Sequence, residues 1–156
     1  MRRFKQQLPD AEARQILTAA TNGVLSLVDA AGRPYGVPMS FVYDGERTLW
    51  FHCAREGRKL EGVRTGGRAS FCAVAMDEIH PECFTTYFRS VIAEGRIAVE
   101  ESREVVIGAL QLLGRKYAPM MDSAPEIAKS LDRVTVLRLE IETLSGKEAI
   151  ELTRRR

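Results

Sequence analysis

The chain has 156 residues, of which 45% are hydrophobic and 28% charged, with a formal net charge of +2. This length fits one ordinary domain, residues 1–156, with a hydrophobic core that needs no metal or disulfide staple, and the composition excludes a wholly disordered chain. The near balance of charge argues against a dedicated nucleic-acid binder, which concentrates a basic excess on one face.

Pro9 and Asp10 mark a helix start, after which Ala13, Ile16, Leu17 and Ala20 recur at helical spacing before Asn22 and Gly23. From Val24 the period becomes two. Three strand runs follow, VLSLV, YGVPMSFVY and TLWFHC, separated by turn signals at Ala31-Gly32-Arg33-Pro34 and Asp44-Gly45. In the second run Val37, Met39, Phe41 and Tyr43 share one face, and Gly36, Pro38, Ser40 and Val42 the other. Pro38 cannot donate to a sheet ladder, so this strand is expected at an edge or a bulge, with main-chain groups left free.

The stretch FHCAREGRKLEGVR over 51–64 runs from an apolar strand through a basic loop into a short helix beginning at about Gly57. Such a junction suits an anion. The first N–H groups of a helix lack intrahelical partners and the macrodipole places partial positive charge there, while Arg55, Arg58 and Lys59 add full charges. Neither a Walker loop nor a GxGxxG fingerprint is present, so the residues alone leave a solvated basic helix start equally open.

ASFCAVAM then reads as a buried strand, 77–82 as a loop, and 85–99 as a long strand able to serve two sheets, with Gly95 as a bend or bulge. Ser102 caps a helix whose apolar stripe is Val106, Leu110, Leu113 and Tyr117, ended by Pro119. A short helix over 124–131 leads into VTVLRLEIE, where Leu137, Leu139 and Ile141 alternate with Arg138, Glu140 and Glu142. The terminal SGKEA reads as a turn holding Lys147. Six strand runs with short connections and local helices predict a mainly β (α+β) chain: a six-stranded antiparallel barrel with peripheral helices.

Cys53, Cys72 and Cys83 show no CxxC spacing, which fits reduced thiols in a cytoplasmic protein. No apolar run approaches the ~18 residues of a membrane helix, and none follows the charged start as a signal sequence requires, so a cytoplasmic protein without a membrane partner is expected. His52 and His80 are the only histidines, too few for a multi-histidine metal centre, and His80-Pro-Glu-Cys83 offers too few soft ligands for a closed zinc site. No metal is expected. No GxSxG elbow or triad is visible. What remains is a Pro38-containing edge, a histidine ending the neighbouring strand and the basic loop beyond it, an arrangement suited to a planar heterocycle with a phosphate tail.

At these residues the chain resembles the FMN-binding split-barrel proteins related to pyridoxamine 5'-phosphate oxidase, and more closely their nitroimidazole-resistance (Nim-like) branch. The resemblance rests on VPMSFVY, LWFHCAREGRKLEGVR, YFRSVIAEGRIAV, LGRKYAP and LRLEIETLSGKEA, in that order from about residue 1 to 149. It implies a split barrel and a homodimer with FMN at the subunit interface. It also implies that Met39, Ser40 and Phe41 line the ring edge, that His52, Cys53 and Ala54 lie under the ring and ribityl chain, and that Arg58 and Lys59 hold the phosphate. Ser90 and Val91 complete the implied pocket.

The resemblance places His52 nearest the reactive part of the flavin, as proton donor or substrate contact. The expected activity is NAD(P)H-linked reduction of small electron-poor substrates such as nitroimidazoles. A non-catalytic flavin or haem carrier is the alternative. The arginine-rich C-terminal signature of true pyridoxamine phosphate oxidases is missing, so that oxidase activity is not expected.

Overall fold

A computed structural model describes residues 4–154. After a short 3-10 turn come α1 (Asp10–Ala19), β1 (Asn22–Val28), β2 (Pro34–Ser40), β3 (Val42–Tyr43), β4 (Thr48–Ala54), α2 (Arg58–Gly66), β5 (Arg68–His80), β6 (Thr85–Val99), α3 (Arg103–Tyr117), α4 (Ala124–Ser130), β7 (Val134–Glu148) and α5 (Ile150–Thr153).

Every strand pairing is antiparallel, and the sheet order is β2-β1-β5-β6-β7-β4-β3. Seven strands form, not six, because the run YGVPMSFVY breaks at Phe41 into β2 and β3. These two pieces, consecutive in the chain, end up at opposite edges of the sheet. A curled sheet does this when its first and last strands must meet, and the result is a barrel left open along one side. Pro38 duly lies on an edge strand.

Three further expectations need correcting. Residues 77–80 are strand, paired with 85–88, and only Pro81–Cys83 form the turn. The long strand β6 lies in one sheet, not two. β7 continues to Glu148, so Lys147 sits in a ladder opposite Ser90 instead of in a turn.

Gly95 does mark a bulge: the β6–β7 register slips between Glu94 and Gly95, and a Cβ there would stand 1.8 Å from the Glu140 carbonyl oxygen. The Ser102 hydroxyl accepts the Val105 N–H at 3.5 Å, capping α3 as its sequence foretells.

The core lies inside the curl. Phe41, Phe51 and Phe71 are wholly buried and meet with ring centroids 4.5 to 6.4 Å apart, surrounded by Leu17, Leu25, Leu49, Leu137 and Leu139. Burial of each such side chain stabilises by about 1.5–3 kcal/mol. A second cluster forms on the outer face, where Val42 and Val136 pack under Ala109, Leu110 and Leu113 of α3 and Ile127 of α4. The period of two thus serves both cores, since Phe41 and Tyr43 point inward while Val42 points out. Among the described residues no helix is long and apolar enough to cross a membrane.

Candidate functional site: the open seam

The two-residue strand β3 pairs with β4 only at Leu49 and Trp50. Beyond Trp50, β4 has a ladder on its β7 side alone, and β2 has one on its β1 side alone. The free edges of β2 and β4 approach each other across the opening of the barrel. Unpaired edge N–H and C=O groups seek partners, and proteins ordinarily cover them. Here they offer a flat ligand two rows of main-chain donors and acceptors.

Strand alternation divides the residues expected at this site. Met39 and Phe41 point inward, 8% and 0% exposed, and Cys53 packs half-buried against the same core. Ser40, His52 and Ala54 point outward and are exposed. Neither Met39-Ser40-Phe41 nor His52-Cys53-Ala54 is therefore one continuous lining. Val91 is wholly buried, and Ser90 is half-buried between Val74 and Lys147. Burial pushes the Cys53 thiol up, an effect the nearby Lys59 ammonium partly offsets.

Gly57, at φ 126°, is the N-cap residue of α2, a conformation side-chain-bearing residues avoid. From the first turn of α2 the Lys59 ammonium reaches the seam, 3.4 Å from Met39 Sδ. Among the described residues Lys59 has no carboxylate partner. Arg58, expected beside it on the same anion, is placed otherwise. Its Nε and Nη2 donate to Asp29 Oδ2 at 3.1 and 2.9 Å, and its guanidinium lies 4.3 Å over the Tyr35 ring.

Asp29 was not foreseen from the sequence. Its Oδ1 accepts the Ala31 and Arg33 N–H groups, closing the β1–β2 turn, and its Oδ2 takes both the Arg33 and Arg58 side chains. The Arg33 N–H, followed by the two guanidinium groups, holds this carboxyl down at about 2. The signal was present in DAAGRP: an Asp two residues before a turn commonly accepts backbone N–H groups there.

His52 pairs with Val136, which lines a groove of about 400 Å³ together with Arg55, Arg64, Arg103, Glu100 and Val106. Paired residues share a face, so the imidazole stands beside that groove on the outside of the sheet. His80 is engaged elsewhere, 2.9 Å from Glu82 and stacked on Tyr87. Among the described residues no three His, Cys, Asp or Glu side chains are grouped to hold a metal ion.

An antiparallel sheet curled around one core and open along a seam, with helices packed around it, is a split β-barrel. Residues 9–148 match the pyridoxamine 5'-phosphate oxidase family, and the chain belongs to it.

Solved structures show the same fold. A proposed 5-nitroimidazole antibiotic resistance protein from Bacteroides thetaiotaomicron is 22% identical, with a TM-score of 0.78 over 91% of this chain and 86% of that one. A conserved hypothetical protein from Mycobacterium tuberculosis is 18% identical, with a TM-score of 0.80 over 94% and 88%. An FAD and haem binding protein from Mycobacterium smegmatis is 21% identical, with a TM-score of 0.76 over 93% and 73%. No curated protein matches the chain.

Proposed function

We propose that the protein is an FMN-binding flavoprotein, a homodimer with the flavin at the subunit interface, that reduces small electron-poor molecules such as nitroimidazoles at the expense of NAD(P)H. One observation carries the flavin reading. The Lys59 ammonium, with no carboxylate partner among the described residues, stands in the first turn of α2 and reaches Met39 on the edge strand β2, across the opening from the free edge of β4. A phosphate tail matches the charge and the helix N–H groups, and a flat ring with polar edges matches the seam. FAD-binding proteins from Mycobacterium smegmatis and Mesorhizobium loti share the fold.

Bound FMN supplies the hydride chemistry; the protein supplies grip and orientation. In this reading Lys59 neutralises the phosphate, aided by the main-chain N–H groups of Arg58 and Lys59, and Met39 and Cys53 back the seam from inside. Ser40 and Ala54 border its outer side, and Phe41, Ser90 and Val91 set the strand positions through backbone and packing. His52, exposed beside the groove, offers an imidazole N–H to an acceptor that gains a proton on reduction.

The partner subunit has an apolar surface to cover. On the outer face of the sheet Val24, Cys72 and Ile92 form one cross-strand row, with Val24 and Ile92 each 40% exposed and Val74 nearby at 59%.

The test is to purify the protein, identify its chromophore by spectrum and mass, and assay NAD(P)H-dependent reduction of a nitroimidazole. A yellow protein that releases FMN and turns over supports the whole reading. Flavin retention without turnover, or a haem spectrum, leaves a carrier. A colourless protein unaltered by added FMN ends it.

A further inference from the structure

The way α2 is held in place bears on which flavin the seam prefers, and the inference rests on the FMN reading above. Two independent devices dock this helix on the end of β1. Gly62 lies so close to the sheet that a Cβ would stand 3.1 Å from the Val28 carbonyl oxygen, which fixes how near the helix sits. The first residue past the end of β1 is Asp29, whose carboxylate, 4% exposed, grips Arg58, the first residue of α2. The second contact fixes where the helix points. Arg58 grips Asp29 Oδ2 with both Nε and Nη2 and is held once more, by the face of Tyr35 from β2.

Lys59 follows Arg58 directly. With Leu60 and Val63 buried in the core and Arg58 tethered, the first turn of α2 is held in place, and Lys59 is directed away from the β1–β2 turn toward Met39 in the seam. Arg58 and Lys59 are adjacent on a helix and so lie about 100° apart around it. Leu60 and Val63, sunk in the core, set the inward face of the helix body, but its exposed first turn, released from Asp29, would be free to fray and carry Lys59 out of the seam. We propose that Asp29 is a positioning residue: by clamping Arg58 it orients the first turn of α2 so that Lys59 and the helix N–H groups meet the flavin phosphate, and it thereby sets the preference for phosphorylated over unphosphorylated flavin.

The substitution that isolates this role is Asp29→Asn. Its side-chain carbonyl still accepts the Ala31 and Arg33 N–H groups, so the turn is kept while the charge holding the two guanidinium groups is lost. Dissociation constants for FMN and for riboflavin are measured on wild type, Asp29→Asn, Arg58→Gln and the double variant. FMN affinity should fall about tenfold in Asp29→Asn while riboflavin affinity stays within about twofold. The double variant should bind FMN no more weakly than Arg58→Gln, since Asp29 acts through Arg58.

Equal losses for FMN and riboflavin would mean a merely structural role and overturn the proposal. So would an unchanged FMN-to-riboflavin ratio, or a further loss in the double variant beyond Arg58→Gln. If Asp29→Asn does not fold, Arg58→Gln, which leaves the turn untouched, carries the same two-ligand comparison, and an unchanged ratio there overturns the proposal equally. Wild-type protein that binds neither ligand, or both alike, refutes the flavin-phosphate reading itself, a result distinguishable from wild type that prefers FMN and a variant that keeps the preference.

Discussion

The hydroxyl of Tyr117 stands where Phe41 would otherwise have a neighbouring strand: it accepts the Phe41 N–H at 2.9 Å and lies 2.8 Å from the Phe41 carbonyl oxygen. It also lies within reach of the Thr21 carbonyl, and its one proton can serve either oxygen. Phe41 is the residue at which one run of sequence is divided between the two edges of the sheet, and the last residue of α3 therefore satisfies the backbone of the break. Lys116 joins it, donating to the Ala20 carbonyl at 2.6 Å and resting 4.1 Å over the Phe41 ring. Removing the hydroxyl in Tyr117→Phe leaves a buried N–H without its acceptor, which costs about 1–3 kcal/mol. Thermal unfolding should shift down by roughly 3–10 °C; an unshifted midpoint would mean that water replaces the phenol at no cost.

Lys59→Ala removes the ammonium that reaches Met39 in the seam. A charge-assisted contact is worth about 1.5–3 kcal/mol, so FMN should bind tenfold or more weakly, with riboflavin binding spared. Titration calorimetry or flavin fluorescence reads both. Equal affinity of wild type and variant for FMN places the phosphate elsewhere.

Acid should weaken the β1–β2 turn. The Asp29 carboxyl is lowered from 3.8 to about 2, so its folded value lies below its unfolded one, and the stability it contributes is complete above about pH 4 and is lost as the pH falls toward 2. The difference in unfolding midpoint between wild type and Asp29→Asn should accordingly be constant from pH 7 to 5 and close as the buffer is taken below pH 4. A difference that persists unchanged at pH 2.5 would show that the carboxylate charge is not its source.

Glycine at two positions has opposite meanings. A methyl at Gly95 would meet backbone, 1.8 Å from the Glu140 oxygen and 3.0 Å from the Glu142 nitrogen, whereas at Gly108 in α3 it meets nothing within 4 Å. Gly95→Ala should therefore destabilise by about 2–4 kcal/mol, and Gly108→Ala should stabilise by about 0.5–1 kcal/mol through helix propensity. Denaturant midpoints of the two variants on either side of wild type would bear this out, and midpoints that coincide would not.

The homodimer reading predicts that charge on the outer row separates the subunits. Ile92→Lys places an ammonium between Cys72 and Ser145 at the end of the exposed apolar row. Light scattering should show the wild-type mass halved, with the far-UV spectrum retained. A wild-type protein that is already monomeric removes the partner from the proposal.

Local chemistry was readable where one residue dictates the outcome. Pro38 demands an edge, Gly95 permits a close crossing, and Ser102 caps a helix, and each does so here. What could not be read were outcomes set by the curl of the whole sheet. Nothing in MSFVY resembles a turn; Phe41 breaks the run only because the strands on either side of it belong to different edges. Asp77 and Glu78 look like loop residues, yet the hairpin ladder with 85–88 carries them as strand. Within the site the sequence shows Arg58 and Lys59 as equivalent neighbours. Only the distant Asp29 separates a structural arginine from the lysine at the seam.

The placement of β7 between β6 and β4 also dictates when the molecule can come together. β4 reaches the rest of the sheet only through β7, and β3 only through β4, so a nascent chain that has not yet emerged beyond residue 134 holds the His52 hairpin as an unattached flap. Such long-range pairing is slow to nucleate. Completion of the seam is thus postponed until β7 has left the ribosome and can pair with β4.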